Sequence, residues 1–320
     1  SSQLDSNETL FDNPDVTRLY NAIKLSGRTP GKTGLGFFNA ISAPAYATFH
    51  NTTDDSYRRV ETNPMTNYNC FIYEKIFGKN SYIGFANTFV LRNGLARDAV
   101  VSSLQGRKSD KTNKFAVEGF FDYSQVFNAG ESAPSSGFRY YVEGGKVSGK
   151  FIAKLKHKMV SSTFDCNDMG YLDRKNYYNF GTTIGYNIFK PFGTFMWTIN
   201  EVNADLSFMY EPSHRTFFTI SGKHIYTFRN FHTVGINWLT NPIKSYDYFE
   251  TRVPGRYLIY PKNYELGGFL SSDYRRKFSL DLNASHRIFL ERNRTITKYS
   301  ISPRWRVTDK LFLVYKWENE

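Results

Sequence analysis

The acidic residues nearest to a catalytic arrangement are Glu118 and Asp122, four positions apart in a segment of alternating polarity. On an extended strand, four residues at about 3.3 Å each place them about 13 Å apart. A glycosidase carboxylate pair needs about 5–9.5 Å. They therefore read as charges lining a polar face. The histidines at 50, 157, 214, 224, 232 and 286 show no zinc-ligand spacing to one another or to Cys70 and Cys166. No glycine-rich loop joins a strand to a helix, so nucleotide motifs are absent. The segment Asp165-Cys166-Asn167-Asp168-Met169-Gly170-Tyr171-Leu172-Asp173-Arg174 crowds hard oxygen ligands into one loop. Its spacing is not that of an EF-hand, and a turn in which Asp and Asn cap their own backbone is the simpler reading. No metal, no cofactor and no enzymatic activity is expected.

The basic excess is the remaining chemical feature. There are 41 Lys and Arg against 29 Asp and Glu, a net charge of +12. Lys154, Lys156 and Lys158 alternate with Phe151, Ala153, Leu155 and Met159, and Lys298, Arg304 and Arg306 alternate with Tyr299, Ile301 and Trp305. If such strands enclose a lumen, these six cations face it, where a ring of one sign selects anions. Asp205 and Asp281, with Glu118 and Asp122, offset part of that charge. A nucleic-acid groove would place its aromatic rings on the basic face. Here the rings lie opposite, and no nucleic-acid partner is expected.

Those side chains need strands to position them. Between Lys277 and Ile288, the even positions are Phe278, Leu280, Leu282, Ala284, His286 and Ile288, and every odd position is polar. That period of two marks a strand with one apolar and one polar face. About fifteen such segments recur, near 18–28, 33–44, 67–76, 80–92, 114–125, 136–145, 148–159, 176–189, 194–210, 214–229, 231–241, 255–264, 266–272, 275–290 and 293–307, with another at 311–318. Tight turns alternate with longer polar gaps at 45–66, 93–113, 126–135, 160–175 and 242–254, as up-and-down antiparallel strands require. Aromatics make up 18% of the chain, which excludes disorder. No apolar run approaches the roughly 20 residues of a spanning helix. Many strands reach the 9–11 residues that cross a bilayer at a tilt, and their aromatic ends suit interfacial girdles. The expected fold is all-β: an up-and-down antiparallel transmembrane β-barrel of about 14–18 strands over 17–320, after an N-terminal linker over 1–16; the alternative is a soluble sandwich or propeller, which gives the same alternation but usually with shorter strands and the polar face outward. The last segment runs into Glu318-Asn319-Glu320 without a closing turn, so the barrel reads as incomplete at that end.

Leu19 to Thr29 followed by Gly34 to Ile41 resembles the first barrel hairpin of a Bacteroidetes outer-membrane family of unknown function, and Asn67-Tyr68-Asn69 through Asn87 to Arg92 resembles its second. The loop bearing Asp165, Asn167, Asp168 and Gly170 is similar to its Asn-Asp-Leu-Gly-Phe-Leu loop, and Ile301-Ser302-Pro303-Arg304-Trp305 to a late strand. The resemblance runs from about residue 17. It implies a barrel in the bacterial outer membrane, in contact with its lipid, that normally follows a module resembling family-nine carbohydrate-binding domains. The expected function is a channel or the membrane platform of a cell-envelope assembly. The alternatives are a non-conducting subunit on which other envelope proteins dock, and the membrane part of a carbohydrate-binding protein.

Overall fold

The computed structural model describes residues 5, 7–253, 255–291 and 294–320. Residues 1–4 and 6 of the expected linker, and Asn293 at the head of the 293–307 segment, lie outside the described residues. The elements, in chain order, are β1 (Glu8–Asp12), β2 (Leu19–Arg28), β3 (Thr33–Ser42), β4 (Ala45–Asn51), β5 (Tyr57–Asn63), β6 (Thr66–Phe77), β7 (Ser81–Arg92) and β8 (Asp98–Ser109). They continue with β9 (Phe115–Phe127), β10 (Ser135–Lys146), β11 (Phe151–Val160), β12 (Tyr177–Tyr186), β13 (Phe195–Met209), β14 (His214–Phe228) and β15 (Thr233–Asn241). The last are β16 (Ser245–Asp247), β17 (Leu258–Tyr260), β18 (Asn263–Ser271), β19 (Phe278–Phe289), β20 (Thr295–Arg306), β21 (Phe312–Val314) and β22 (Trp317–Asn319). Among the described residues there is no helix, and the protein is all-β with large antiparallel sheets.

The chain divides into two compact units, one made of 1–107, 119–140 and 161–175, the other of 108–118, 141–160 and 176–320. In the first, β2, β3, β6, β7 and β8 pair in that order, each antiparallel to the next. A separate sheet sets β4 between β1 and β5. This small sheet corrects one expectation, since β4 and β5 fill the expected 45–66 gap, and its β1 lies within the expected 1–16 linker. The buried face of β4 is Ala45, Ala47 and Phe49. Its alternation rests on two alanines, too small to stand out against polar neighbours. The expected 93–113 gap likewise holds β8, whose Val100-Val101-Ser102-Ser103 doublets carry no period of two.

In the second unit the order is β11, β12, β13, β14, β15, β18, β19 and β20, again antiparallel throughout. The register carries one face across all eight strands. Lys154 pairs with Thr183, which pairs with Asn203 and then Ser221. One residue away, Ala153 leads to Ile184, Val202 and Gly222. Along the apolar face the rings gather at both strand ends. Phe195 packs against Phe228 and Tyr226 at centroid distances of 5.1 and 5.7 Å. At the other end Tyr178 stacks on Phe208 at 4.9 Å and His157 meets Phe180 at 4.3 Å. Leu155, Ile184, Val202 and Ile220 lie between. This apolar face is the exposed one: Leu155 is 68%, Leu266 61%, Ile184 52% and Phe180 50% accessible. The side chains buried to under 2% include Thr216, Asn263, Ser245 and Ser279. The partition is the reverse of that in a sheet whose apolar face packs on a core.

Glycines open room on both faces. A Cβ at Gly181 would lie 1.9 Å from Lys156 Cε, and one at Gly222 would lie 2.2 Å from Trp238 Nε1. Each is the register partner of the side chain that covers it.

Candidate functional site

The loop of 161–175 belongs to the first unit, and the chain fixes it from both ends. Ser161 exchanges two hydrogen bonds with Phe138: its amide donates to the Phe138 carbonyl and its hydroxyl accepts from the Phe138 amide, both at 2.9 Å. Thr163 Oγ1 donates to the Ser136 carbonyl at 2.6 Å. Phe164 is fully buried, and Gly137 makes that possible, since a Cβ there would sit 2.2 Å from the Phe164 nitrogen. The Asp165 amide then donates to Ser124 Oγ at 3.0 Å.

The expected turn chemistry is present. The Asn167 amide donates to Asp165 Oδ1 at 3.0 Å, and Asn167 Oδ1 accepts from the Leu172 amide at 2.7 Å. Gly170 passes close over the Cys166 carbonyl, 2.8 Å from where its Cβ would be. The outer carboxylate oxygens go to arginines. Asp168 takes Arg92 Nη2 on Oδ1 at 2.7 Å and Arg97 Nη2 on Oδ2 at 2.8 Å, while Arg97 Nη1 reaches Asp165 Oδ2 at 3.1 Å. Arg92 also donates to the Arg97 carbonyl at 2.6 Å. Asp173 is exposed. Asp165 and Asp168 are thereby committed to guanidinium groups, and the loop acts as a latch on the turn between β7 and β8. Sequence reading missed Arg92 and Arg97, which lie 76 and 71 positions from Asp168. No local spacing signals such a pair.

Burial pushes the Asp165 carboxyl up, but the Asn167 amide and the Arg97 guanidinium outweigh it and hold the group below its ordinary value. A carboxylate lowered in the folded state contributes stability that is complete above the unfolded value, about 3.9, and is lost as pH falls through the folded one. Acidification below about pH 4 is therefore expected to raise protease cleavage within 161–175. Asp165→Asn should flatten that pH dependence, as read by mass spectrometry of timed digests.

Asp122 is buried in the same unit. Its Oδ2 accepts from Arg139 Nε at 2.6 Å, and the Arg139 guanidinium lies 5.0 Å from the centre of the Phe164 ring. Glu118, in the second unit, is half-buried.

The other expected site residues line the polar face of the second unit, where three of the six cations meet acids. Lys154 Nζ meets Glu143 and Lys156 Nζ meets Asp205, each at 2.8 Å. Lys156 reaches its partner by crossing Gly181, since Lys156 pairs with Gly181 and Gly181 with Asp205. Lys158 lies over the Tyr177 ring at 5.2 Å. Lys298 meets Glu320 at 2.7 Å, and Arg304 lies over Tyr274 at 4.7 Å. Arg306 donates to the Tyr274 carbonyl at 3.3 Å, and Asp281 accepts the Tyr274 hydroxyl. The cations do share a face, but each has an acid, a ring or a carbonyl of its own. Glu143 and Tyr274 were not foreseen, because the register that brings them in is set by strand pairing.

A family model described as Domain of unknown function (DUF5916) matches residues 1–320. The chain belongs to this family. The match includes the 1–16 segment that the expected barrel left out. No curated protein and no solved structure matches the DUF5916 chain.

Proposed function

We propose that residues 17–320 form the wall of a bacterial outer-membrane β-barrel whose interior is braced by paired side chains, serving as a membrane platform on which other envelope proteins dock. One observation carries the reading: the large apolar side chains of the eight-stranded sheet, Leu155, Leu266, Ile184 and Phe180 among them, are half or more exposed on a shared face instead of packing on a core. In water, contiguous exposed apolar patches beyond a few hundred Å² are rare. In lipid such a face is the required one, and its aromatic ends with aliphatic residues between match the two girdles around a band about 25 Å tall. Tyr178 and Tyr186 lie eight residues apart on β12, about 26 Å along the strand before tilt.

The braced interior follows from the pairing just described. Six cations of one sign would favour an anion path, whereas Lys154–Glu143, Lys156–Asp205 and Lys298–Glu320 offset three of the six charges. A barrel of this strand number is wide enough to be open or plugged, and conductance separates the two. The full-length protein should require detergent for extraction and migrate faster unheated than boiled. Identical migration with extraction in plain buffer would overturn the barrel. In planar bilayers the platform reading expects no steady single-channel current. A steady anion-selective current that weakens with salt, and that turns toward cations when Lys154, Lys156 and Lys158 become Glu, would establish the channel instead.

A further inference from the structure

The tight turns of the second unit form a continuous rim. The Val147 amide donates to the Lys114 carbonyl at 2.8 Å, Asn187 to Lys150 at 2.7 Å, Arg229 to Thr194 at 2.9 Å and Arg306 to Lys277 at 2.7 Å. The Arg275 guanidinium covers the Phe231 ring and completes the series. These bonds bring the segments 108–114, 146–150, 187–194, 229–232, 272–277 and 306–311 to one edge of the sheet. Together they hold twelve Lys or Arg and three Asp or Glu, a net +9. The connections at the opposite strand ends, 210–213, 242–262 and 290–294, hold six and four, a net +2. Most of the protein's +12 is therefore matched by one rim.

Two of the three rim acids are already engaged. Asp110 caps its own turn, accepting from the Phe115 amide at 2.9 Å, and Asp273 takes Arg275 in a two-bond pair at 2.8 Å each. Lys111, Lys114, Lys150, Lys190, Lys277 and Lys310 are exposed and have no acid partner among the described residues. The charges stand beside apolar surface. A cleft of about 570 Å³ is lined by Lys150 and Lys190 together with Ile152, Ile188, Phe189 and Phe192.

We propose that this rim binds the phosphate headgroups of an anionic phospholipid leaflet. The inference rests on the membrane reading above. Ammonium groups on long apolar stems reach from the edge of the hydrocarbon band to the headgroup level. Anionic lipid attracts basic residues held there, and the attraction falls off within a Debye length. The neighbouring rings supply the apolar footing that a zwitterionic and an anionic lipid would share, so the charge alone discriminates between them. The balanced opposite end gives the protein a preferred orientation.

The test is tryptophan quenching in phosphatidylcholine vesicles carrying either brominated phosphatidylglycerol or brominated phosphatidylcholine. Trp197 and Trp305 stand near the rim, next to the 187–194 and 306–311 turns. The full chain should be quenched by both lipids, with phosphatidylglycerol favoured about twofold or more at low salt and the preference fading toward 1 M salt. Changing Lys150, Lys190, Lys277 and Lys310 to Gln should remove the preference while leaving the heat-dependent gel shift intact. Equal quenching by the two lipids at low salt, or a preference untouched by the four substitutions, would overturn the rim. Quenching by neither would overturn the membrane reading itself.

Discussion

Gly137→Ala is expected to abolish the folded loop of 161–175, and with it the native form of the first unit. The added Cβ would lie 2.2 Å from the Phe164 nitrogen, 2.3 Å from its Cα and 2.5 Å from the Thr163 carbonyl carbon. All three are backbone atoms, so no rotamer change relieves the contact. Overpacking a core side chain costs about 1–3 kcal/mol, and a clash against fixed backbone lies at or beyond the upper end. Phe164 would leave a fully buried position, the Ser161–Phe138 exchange would part, and Asp165 and Asp168 would lose their alignment with Arg97 and Arg92. Gly27→Ala serves as the control, since nothing lies within 4 Å of its Cβ position. Urea unfolding of the detergent-solubilised protein measures both. A Gly137→Ala midpoint equal to that of Gly27→Ala would show that the loop is not seated on β10.

Leu282→Arg is expected to block assembly, and Asn283→Arg to be tolerated. Leu282 stands near the middle of β19, opposite Leu270 on one side and Ile301 on the other. Its neighbour Asn283 points to the other face and bonds Ser300 at 3.1 Å. A lipid-facing Arg near mid-membrane costs about 2–4 kcal/mol, whereas an exposed Leu→Arg change in a water-soluble sheet is usually within about 0.5 kcal/mol. The pair therefore reads the environment of the face directly. Yield of the heat-shifted form after refolding into vesicles is the measurement, and equal yields would place the apolar face in water.

The strands that sequence made visible are those whose two faces differ strongly. β19 alternates Phe, Leu, Leu, Ala, His and Ile with polar residues, and its existence and facing are plain from the letters. β4 hides because its buried positions are filled by Ala45 and Ala47. β8 hides because Val100 and Val101 occupy both faces. The loop motif was legible as a turn, since Asp165 and Asn167 cap backbone groups within five residues. Its anchoring was not, because Arg92, Arg97, Ser124 and Gly137 are distant in sequence and of types common throughout the chain. The polar face of the second unit was legible as a row of cations, while its charge balance was not. Whether Lys156 meets an acid depends on the register of two successive strand pairs and on the bare backbone of Gly181 between them.

The neighbour-to-neighbour pairing of the strands also sets an order of assembly. From β11 through β15, and from β18 through β20, each strand pairs with the one before and after it in the sheet. Loop-closure entropy rises only with the logarithm of loop length, and contacts close in sequence speed folding. Hairpins such as β13–β14 and β19–β20 therefore close early, each turn offering its free carbonyl to the next. Two joints span longer stretches: β3 finds β6 across residues 43–65, and β15 finds β18 across 242–262. Those two encounters close the longest loops between paired strands within their units and are expected to be the later ones.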